Sequence, residues 1–188
     1  MNKHLFGVKA AMLVANGFSQ NDMIAAQKAL LNEGANVRIV SPENGLVNGW
    51  DGQTWGHHFA VDTPLSTALA SDFSILVIPG GQRSMEKMNL TAHTKRFINS
   101  FMDSGKPVIV MDSALRIMIL TDHIKGHNIG GPADMADIVM QAGANWIGQE
   151  VCIDGNLMTG EMGEQNLQTF VTAMVDHIGN CMDTEQAA

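Results

Sequence analysis

GKPVIVMDSALRIMI, residues 105–119, combines a turn, a short apolar strand and a helix that begins without an intervening loop. The predicted strand, Val108–Met111, is apolar at every position, which is typical of a strand buried on both faces of a parallel sheet. A chain that passes so abruptly from strand to helix lifts the corner residue out of the sheet, and enzymes often place a nucleophile there. The corner residue here is Asp112. The stretch therefore predicts an α/β fold with a carboxylate at the corner.

The same alternation of apolar strands and amphipathic helices runs through the chain. We predict strands at 8–15, 37–41, 73–78 and 108–111, helices at 22–33, 91–103 and 164–178, a flap at 47–65, a hairpin at 150–160 and a frayed tail at 183–188. Strands separated by helices form a parallel sheet through right-handed crossovers, with helices on both faces. We therefore expect residues 1–188 to form a single domain with a flavodoxin-like, doubly wound parallel sheet in a three-layer sandwich, plus a small β-hairpin.

Composition and charge argue against several classes of function. The net charge of −8 disfavours nucleic acid or an anionic membrane as a partner, because binding to phosphates requires clustered Lys and Arg. No apolar run approaches the roughly 20 residues that cross a bilayer. Cys152 and Cys181 lack CxxC or His-paired spacing, which favours a reduced, cytoplasmic protein.

Five segments carry a resemblance to a known family. In chain order they are AMLVANGFSQNDM, SPENGLVNGWDG, ILVIPGGQ, GKPVIVMDSALRIMI and AGANWIGQEVCIDGNLMTG. Their order and spacing resemble the ThiJ/PfpI family of the class I glutamine amidotransferase-like superfamily, and the likeness covers nearly the whole chain. The resemblance implies a place beside proteins with peptidase, amidase, glyoxalase-like and hydratase activities. It also implies a homodimer or higher homo-oligomer.

The resemblance places the family's site on residues that depart from the family pattern. The corner cysteine of the family falls on Asp112, and the histidine that usually follows it falls on Ser113. The carboxylate that touches the cysteine, usually a glutamate on the first helix, falls on Asp22. The loop where some members carry a further histidine, 130–132, is Gly-Gly-Pro. The resemblance thus implies the scaffold and one carboxylate of the site without its thiol.

Asp112 itself has three interpretations. Its carboxylate can act as a helix N-cap that accepts hydrogen bonds from amides near Leu115. Alternatively, if the fold brings Asp22 alongside, the two carboxyl groups repel when both are ionised and hold a shared proton. Such a pair resembles the oxidised family site, in which a cysteine sulfinate accepts a hydrogen bond from a protonated glutamate. The third interpretation is drift after loss of function.

Gly80 and Gly81 follow the strand predicted at 73–78. In the family, backbone amides at this turn face the pocket, and close backbone approach there requires small residues. The resemblance implies that these amides, together with the amide of Ser113, bind an oxyanion or a carbonyl oxygen. The alternative is an ordinary strand-to-helix turn without a ligand.

The histidine spacing does not favour a metal site. His57 and His58 are adjacent and would point to opposite faces of an extended chain. His123 and His127 have i,i+4 spacing, but Gly126 lies between them, where the helix is expected to end. We therefore predict neither a metal nor a cofactor.

Three other side chains are candidates of lesser weight. Trp50 and Trp55 flank the glycines of the flap, where they wall a ligand pocket or a subunit interface, or pack into the core. Cys152 lies in a predicted hairpin strand and is interpreted as a buried apolar residue rather than a displaced nucleophile.

Three functions follow from these residues. The first is a protein without cysteine-dependent catalysis that binds a small ligand or a partner at an Asp22/Asp112 pocket. The second is a hydrolase or lyase of amidase, peptidase or glyoxalase-like type, in which the Asp pair performs acid–base chemistry. The third is a structural module whose homo-oligomer is the functional unit. The residues do not name the ligand.

Overall fold

Seven strands form one sheet through the middle of the protein, in a computed structural model that describes residues 5–186. The strands of the described chain are β1 Lys9–Leu13, β2 Phe18–Ser19, β3 Asn36–Ser41, β4 Leu46–Trp50, β5 Trp55–Ala60, β6 Thr63–Pro64, β7 Ile75–Ile78, β8 Val108–Met111, β9 Asn128–Ile129, β10 Asn145–Trp146, β11 Val151–Asp154 and β12 Leu157–Gly160. The large sheet has the order β11-β12-β8-β7-β1-β3-β6. Its neighbouring strands are parallel except for β11 and β12. The predicted, mostly parallel sheet is confirmed.

The central strands are continuously apolar because both faces of the sheet are covered. Every residue of β7 and β8 is buried. Successive side chains of a strand point to opposite faces. Ile75 and Val77 accordingly enter one core cluster, whereas Leu76 and Ile78 enter the other. The two clusters are the two interfaces of a three-layer sandwich.

Helices form the outer layers. They are α1 Gln20–Asn32, α2 Gln82–Asn89, α3 Ala92–Asp103, α4 Leu115–Met118, α5 Ala136–Gln141 and α6 Leu167–Gln186. On one face, α1 and α6 bury Met23, Leu30 and Phe170 against the sheet. On the other face, helices α2 to α5 pack, and Phe97 and Phe101 of α3 are fully inside, as the amphipathic pattern of that helix predicts.

Two hairpins complete the fold and agree with the sequence. Strands β4 and β5 pair antiparallel, with Trp50 opposite Trp55 and an irregularity after Asn48. This hairpin is the predicted flap, and β2 pairs with β4 to anchor it beside α1. Strands β11 and β12 pair from Asp154 opposite Leu157, so the hairpin predicted at 150–160 is confirmed and turns at residues 155–156.

Two helices differ from prediction in length. After the corner, a 3-10 turn leads into α4, which ends at Met118 instead of near Gly126. The Met118 carbonyl accepts a hydrogen bond of 2.7 Å from the Thr121 hydroxyl. Helix α6 continues beyond residue 178 because Met182 still packs on the core. The predicted frayed tail is therefore wrong for residues 183–186, and residues 187–188 lie outside the described chain. No helix within 5–186 is long and apolar enough to cross a bilayer.

Gly81 lies at a tight backbone contact close to the corner. Its φ is +119°, and an added Cβ would lie 2.6 Å from the carbonyl oxygen of Gly17. Gly105 also has a positive φ, +70°, but has open space around it. We expect Gly81→Ala to lower the free energy of unfolding by about 2–5 kcal/mol, because backbone strain and overpacking add. Gly105→Ala should cost only the strain of about 1–2 kcal/mol. Urea unfolding of both variants checks this, and equal losses would contradict it.

Candidate functional site

The corner after β8 is the most unusual backbone position of the described chain. Asp112 has φ 47°, and no other non-glycine residue within 5–186 has a positive φ. This left-handed conformation costs a side-chain-bearing residue about 1–2 kcal/mol. Such strain is concentrated at functional sites, where the surrounding structure maintains it. The prediction that Asp112 occupies an abrupt strand-to-helix corner is confirmed.

The Asp112 carboxylate is held by a distant segment. Its Oδ1 accepts a hydrogen bond of 2.9 Å from the backbone N–H of Met162, just after β12. Among the described residues its hydrogen bonds go to the Met162 amide and to Asp22 rather than to the turn that it begins, whose N-cap position is Met111. The interpretation of Asp112 as a helix N-cap with amides near Leu115 is therefore wrong. The strand order explains why, since β12 pairs alongside β8 and places the Met162 amide beside the corner.

Asp22 lies in the first turn of α1 and reaches the same place. Only 7% of this residue is exposed. Its carboxyl group is hydrogen-bonded to the side chain of Asp112, and the Ser19 hydroxyl donates to it. Two segments that are 90 residues apart in the sequence thus bring their carboxyl groups into direct contact.

Burial raises the pKa of Asp22 from its ordinary value of 3.8 to about 7. Loss of water penalises the charged form most strongly, and the negative charge and hydrogen bond of Asp112 act in the same direction. The Ser19 hydroxyl opposes the shift because it stabilises the carboxylate. Asp22 is therefore protonated in a large fraction of the molecules at neutral pH.

Burial also raises the pKa of Asp112, and the nearby charges of Glu161 and Asp134 add to the effect. The Met162 amide and the hydrogen bond from Asp22 oppose it, because both stabilise the ionised carboxylate. The hydrogen bond between the two carboxyl groups thus raises the pKa of Asp22 and lowers the pKa of Asp112. Both shifts favour retention of a proton, and for two carboxyl groups in contact the titration belongs to the pair rather than to either group alone.

The glycines predicted to bind an oxyanion lie beside the pair. A Cβ added to Gly80 would be 3.1 Å from the Cβ of Asp112, so a side chain here would require its neighbours to shift by a few tenths of an ångström. The N–H of Gly81, however, donates to the Ser113 hydroxyl at 2.8 Å. The Gly80 carbonyl accepts from the N–H of Ser19 at 2.8 Å. The Gly81 N–H, one of the three amides predicted to bind an oxyanion, is therefore already bonded to the Ser113 side chain.

The sequence analysis missed three contributors to the site: the Ser19 hydroxyl, the Ser113 hydroxyl and the Met162 amide. Ser19 was detectable, because Ser19 and Asp22 have the S-x-x-D spacing of a helix capping box. In the structure the hydroxyl is bonded to the Asp22 carboxyl group and makes no cap bond to the backbone of α1. The Met162 amide had no sequence signal, since any residue but proline supplies an N–H.

The remaining candidates lie away from the pair. Cys152 is buried on β11, and its thiol donates to the Asn128 carbonyl at 3.2 Å. Burial raises the pKa of this thiol, which makes it a poor nucleophile. The interpretation of Cys152 as a buried residue is confirmed.

The histidines with helical spacing each have a different carboxylate partner. His123 lies 2.9 Å from Asp103, and His127 lies 3.4 Å from Asp154. In the part of the chain that the structure describes, no three His, Cys, Asp or Glu side chains are grouped so that they could hold a metal ion.

Comparison with known proteins identifies the family. The DJ-1/PfpI family profile matches residues 8–176. The chain belongs to the DJ-1/PfpI family. It is 30% identical to Deglycase PfpI of Pyrococcus furiosus over 149 residues, which cover 79% of this chain and 87% of that protein. Deglycase TK1284 of Thermococcus kodakarensis matches over 149 residues with 30% identity and the same 79% and 87% coverage.

Solved structures share the DJ-1/PfpI fold. A two-domain protein of Anabaena variabilis, which contains DJ-1/ThiJ/PfpI-like and ferritin-like domains, superposes with a TM-score of 0.83 at 27% identity. The match covers 92% of this chain and 48% of that one, so this chain spans about half of the two-domain protein. DJ-1beta of Drosophila melanogaster superposes with a TM-score of 0.78 at 19% identity, covering 96% of each chain. The family and the flavodoxin-like fold expected from the sequence are confirmed.

The protonated Asp22 makes the stability of the protein depend on pH. Its folded-state pKa of about 7 lies above the ordinary 3.8, so the folded protein binds more protons than the unfolded chain between these values. The stabilisation from this proton is fully present below about pH 4 and is lost as pH rises through about 7, by at most ~1.4 kcal/mol per pH unit. We therefore expect Asp22→Asn to gain stability relative to wild type across this window, as measured by urea unfolding.

A matched control for this experiment is Asp72→Asn. Asp72 is exposed and lies before β7, at the opposite end of the sheet from the corner. The difference in the free energy of unfolding between Asp72→Asn and wild type should not change over the same pH range. A difference for Asp22→Asn that is equally flat would show that the two carboxyl groups do not share a proton.

Proposed function

We propose that this DJ-1/PfpI protein acts without a thiol nucleophile and binds a small hydrogen-bonding ligand at the Asp22–Asp112 pair. The observation that carries the proposal is the hydrogen bond between these two carboxyl groups at the strained corner. On the ThiJ/PfpI pattern, the corner is the position of the nucleophilic cysteine, and we infer that Asp112 replaces it. The two cysteines of the chain are on β11 and α6.

An aspartate at this corner does not perform the chemistry of a thiolate. A thiolate is polarisable and strongly nucleophilic, whereas a carboxylate is a weak nucleophile that requires an activated electrophile. Asp112 is moreover bonded to the Met162 amide and to protonated Asp22, which further lower its nucleophilicity. Binding is therefore the function that its environment favours.

The pair has hydrogen-bonding capacity left for a ligand. An ionised carboxylate accepts about four hydrogen bonds. Among the described residues, Asp112 receives one from the Met162 amide and one from Asp22. Asp112 is also only half-buried, in contrast to Asp22. A small ligand with an N–H or O–H donor fits this remaining acceptor capacity.

The pair also has the charge pattern of an oxidised thiol site. In the family site that the sequence resembles, a cysteine sulfinate accepts a hydrogen bond from a protonated glutamate. Here the Asp112 carboxylate accepts one from protonated Asp22. Both anions offer two acceptor oxygens, so Asp112 would hold permanently the charge state that a thiol reaches only by oxidation.

A second candidate function is acid–base catalysis on a small carbonyl compound or an activated amide. The pKa of Asp22, about 7, favours it, because a general acid or base is most effective when its pKa lies near the working pH. In this reading Asp22 transfers the proton and Asp112 stabilises the positive charge that develops on the substrate. The deglycase names of the two archaeal relatives are consistent with an enzyme of this kind.

The absence of thiol chemistry is directly testable. We expect conversion of methylglyoxal and hydrolysis of peptides to remain at the buffer rate, because no thiolate stands at the corner. If some turnover is seen, alkylation with iodoacetamide should leave it unchanged, since it would arise from the Asp pair. Robust turnover that iodoacetamide abolishes would refute the proposal.

Ligand binding at the pair is tested with two small probes of similar shape. Acetamide has both an N–H donor and a carbonyl, whereas acetone lacks the donor. We expect acetamide, but not acetone, to shift the backbone amide NMR signal of Met162 saturably at neutral pH. Asp112→Asn should weaken acetamide binding at least about tenfold, because it removes the anionic acceptor.

The exposed Asp72→Asn variant is the control for the loss of charge, and it should bind acetamide as wild type does. If both probes bind equally, or if Asp112→Asn binds acetamide like wild type, the pair is not the binding site. A pH-dependent turnover of small amides, lost in Asp22→Asn but insensitive to iodoacetamide, would select acid–base catalysis instead.

A further inference from the structure

The flap and helix α2 form an aromatic and cationic cluster outside the carboxyl pair. The guanidinium carbon of Arg83 lies 3.9 Å from the ring centroid of Trp50 and 5.8 Å from that of Trp55. The two indoles contact each other edge to face, with centroids 5.6 Å apart and an interplanar angle of 87°. The β4–β5 register creates this arrangement, because it pairs Trp50 directly with Trp55.

Arg83 is stacked but has no carboxylate partner. Its guanidinium lies against the two rings, and none of the ion pairs within residues 5–186 includes it. This is notable in a chain of net charge −8, in which acidic residues outnumber basic ones. Stacking fixes the plane of a guanidinium and leaves its N–H groups directed outward along the edge, where they suit a two-oxygen anion.

A cleft of about 430 Å³ adjoins the cluster. It is lined by Asn16, Leu46, Asn48, Trp55 and Lys87. Its volume lies in the range of small-molecule sites. Its lining therefore combines a flat aromatic wall with an aliphatic side chain, two amides and a cation.

Lys87 lines this cleft, and Arg83 lies beside it, against the ring of Trp55. Lys87 follows Arg83 by four residues on α2, so the two side chains project from the same helix face. Lys87 has one distant carboxylate contact, 3.5 Å to Glu43, and is itself half-exposed. An exposed pair of this kind contributes little and is readily exchanged for another anion.

The amides of the cleft are held in place by the backbone. Asn16 Oδ1 accepts a hydrogen bond of 2.8 Å from the N–H of Asn48. With its oxygen engaged, the Asn16 side chain offers its NH₂ group to a ligand as a donor. Gly17, next in the chain, lies so close to Arg83 that an added Cβ would be 2.5 Å from the Arg83 Cβ. This contact fixes the Arg83 stem against the same loop.

We propose that this cleft binds a small organic anion with a flat apolar body. Arg83 and Lys87 hold its carboxylate or phosphate group, the Asn16 amide adds a donor, and Trp55 and Leu46 contact its body. The site is separate from the Asp22–Asp112 pair, and its occupancy does not depend on the proton that the pair shares.

The three tryptophans of the chain allow a direct test by NMR of the indole N–H groups. Trp50 and Trp55 belong to the cluster, whereas Trp146 lies on β10 in the separate β10-β9 sheet and does not line the cleft, so it is an internal control. Benzoate and phenyl phosphate should shift the signals of Trp50 and Trp55 saturably and leave Trp146 in place. Benzyl alcohol, which has the ring without the charge, should bind at least about tenfold more weakly.

The decisive variant is Arg83→Gln, with Lys28→Gln as its control. Lys28 is an exposed cation on α1, so its loss changes the net charge equally. We expect Arg83→Gln to weaken benzoate and phenyl phosphate binding at least about tenfold, and Lys28→Gln to have no effect. Arg83→Lys should fall between wild type and Arg83→Gln, because it keeps the charge but loses the planar fork.

The probes also distinguish the possible ligands. Tighter binding of benzoate selects a carboxylate ligand, and tighter binding of phenyl phosphate selects a phosphate ester. Equal shifts of all three indoles, equal binding of benzyl alcohol, or unchanged binding in Arg83→Gln would each overturn the proposal. Because Asp22 and Asp112 are intact in these variants, failure here is distinguishable from failure of the acetamide experiment.

Discussion

The hydrogen bond between the carboxyl groups of Asp22 and Asp112 connects the two halves of the structure. It joins the first turn of α1 to the corner that follows β8. Two ionised carboxylates in contact would repel, and burial raises the pKa of both groups, so the site disfavours two charges. The left-handed backbone of Asp112 raises the conformational free energy of the folded protein. The hydrogen bond from the Met162 amide offsets part of this strain.

The loop before α1 connects the carboxyl pair to side chains at the protein surface. Ser19 bonds the Asp22 carboxyl group through its hydroxyl and the Gly80 carbonyl through its N–H. Two residues earlier, Gly17 packs against Arg83, whose guanidinium stacks on the flap tryptophans. One short segment therefore positions both the proton-sharing pair and the cationic cluster. Glycine is favoured at its first residue and at the facing Gly81, because the backbones at Gly17 and Gly81 approach each other closely.

Most of the fold was predictable, because the apolar runs that mark β1, β7 and β8 are a direct record of burial on both faces. The corner position of Asp112 was predictable for the same reason. Its meeting with Asp22 followed only from the family resemblance, since strand order is not encoded in any local pattern. The N-cap interpretation failed because the amide that Asp112 uses comes from Met162, 50 residues away. The extension of α6 was missed because it depends on the packing of Met182 against the core.

The distance along the chain between Asp112 and Met162 has a consequence for biosynthesis. A ribosome produces the corner well before the strand that brings its amide partner, and 50 residues separate the two ends of that bond. During this interval the Asp112 carboxylate has no backbone donor from β12 and stays hydrated rather than buried. The corner can close only when the β11–β12 hairpin docks beside β8, which requires closing a long loop at an entropic cost. The nascent protein thus acquires its strained corner late, after nearly all of the sheet has been synthesised.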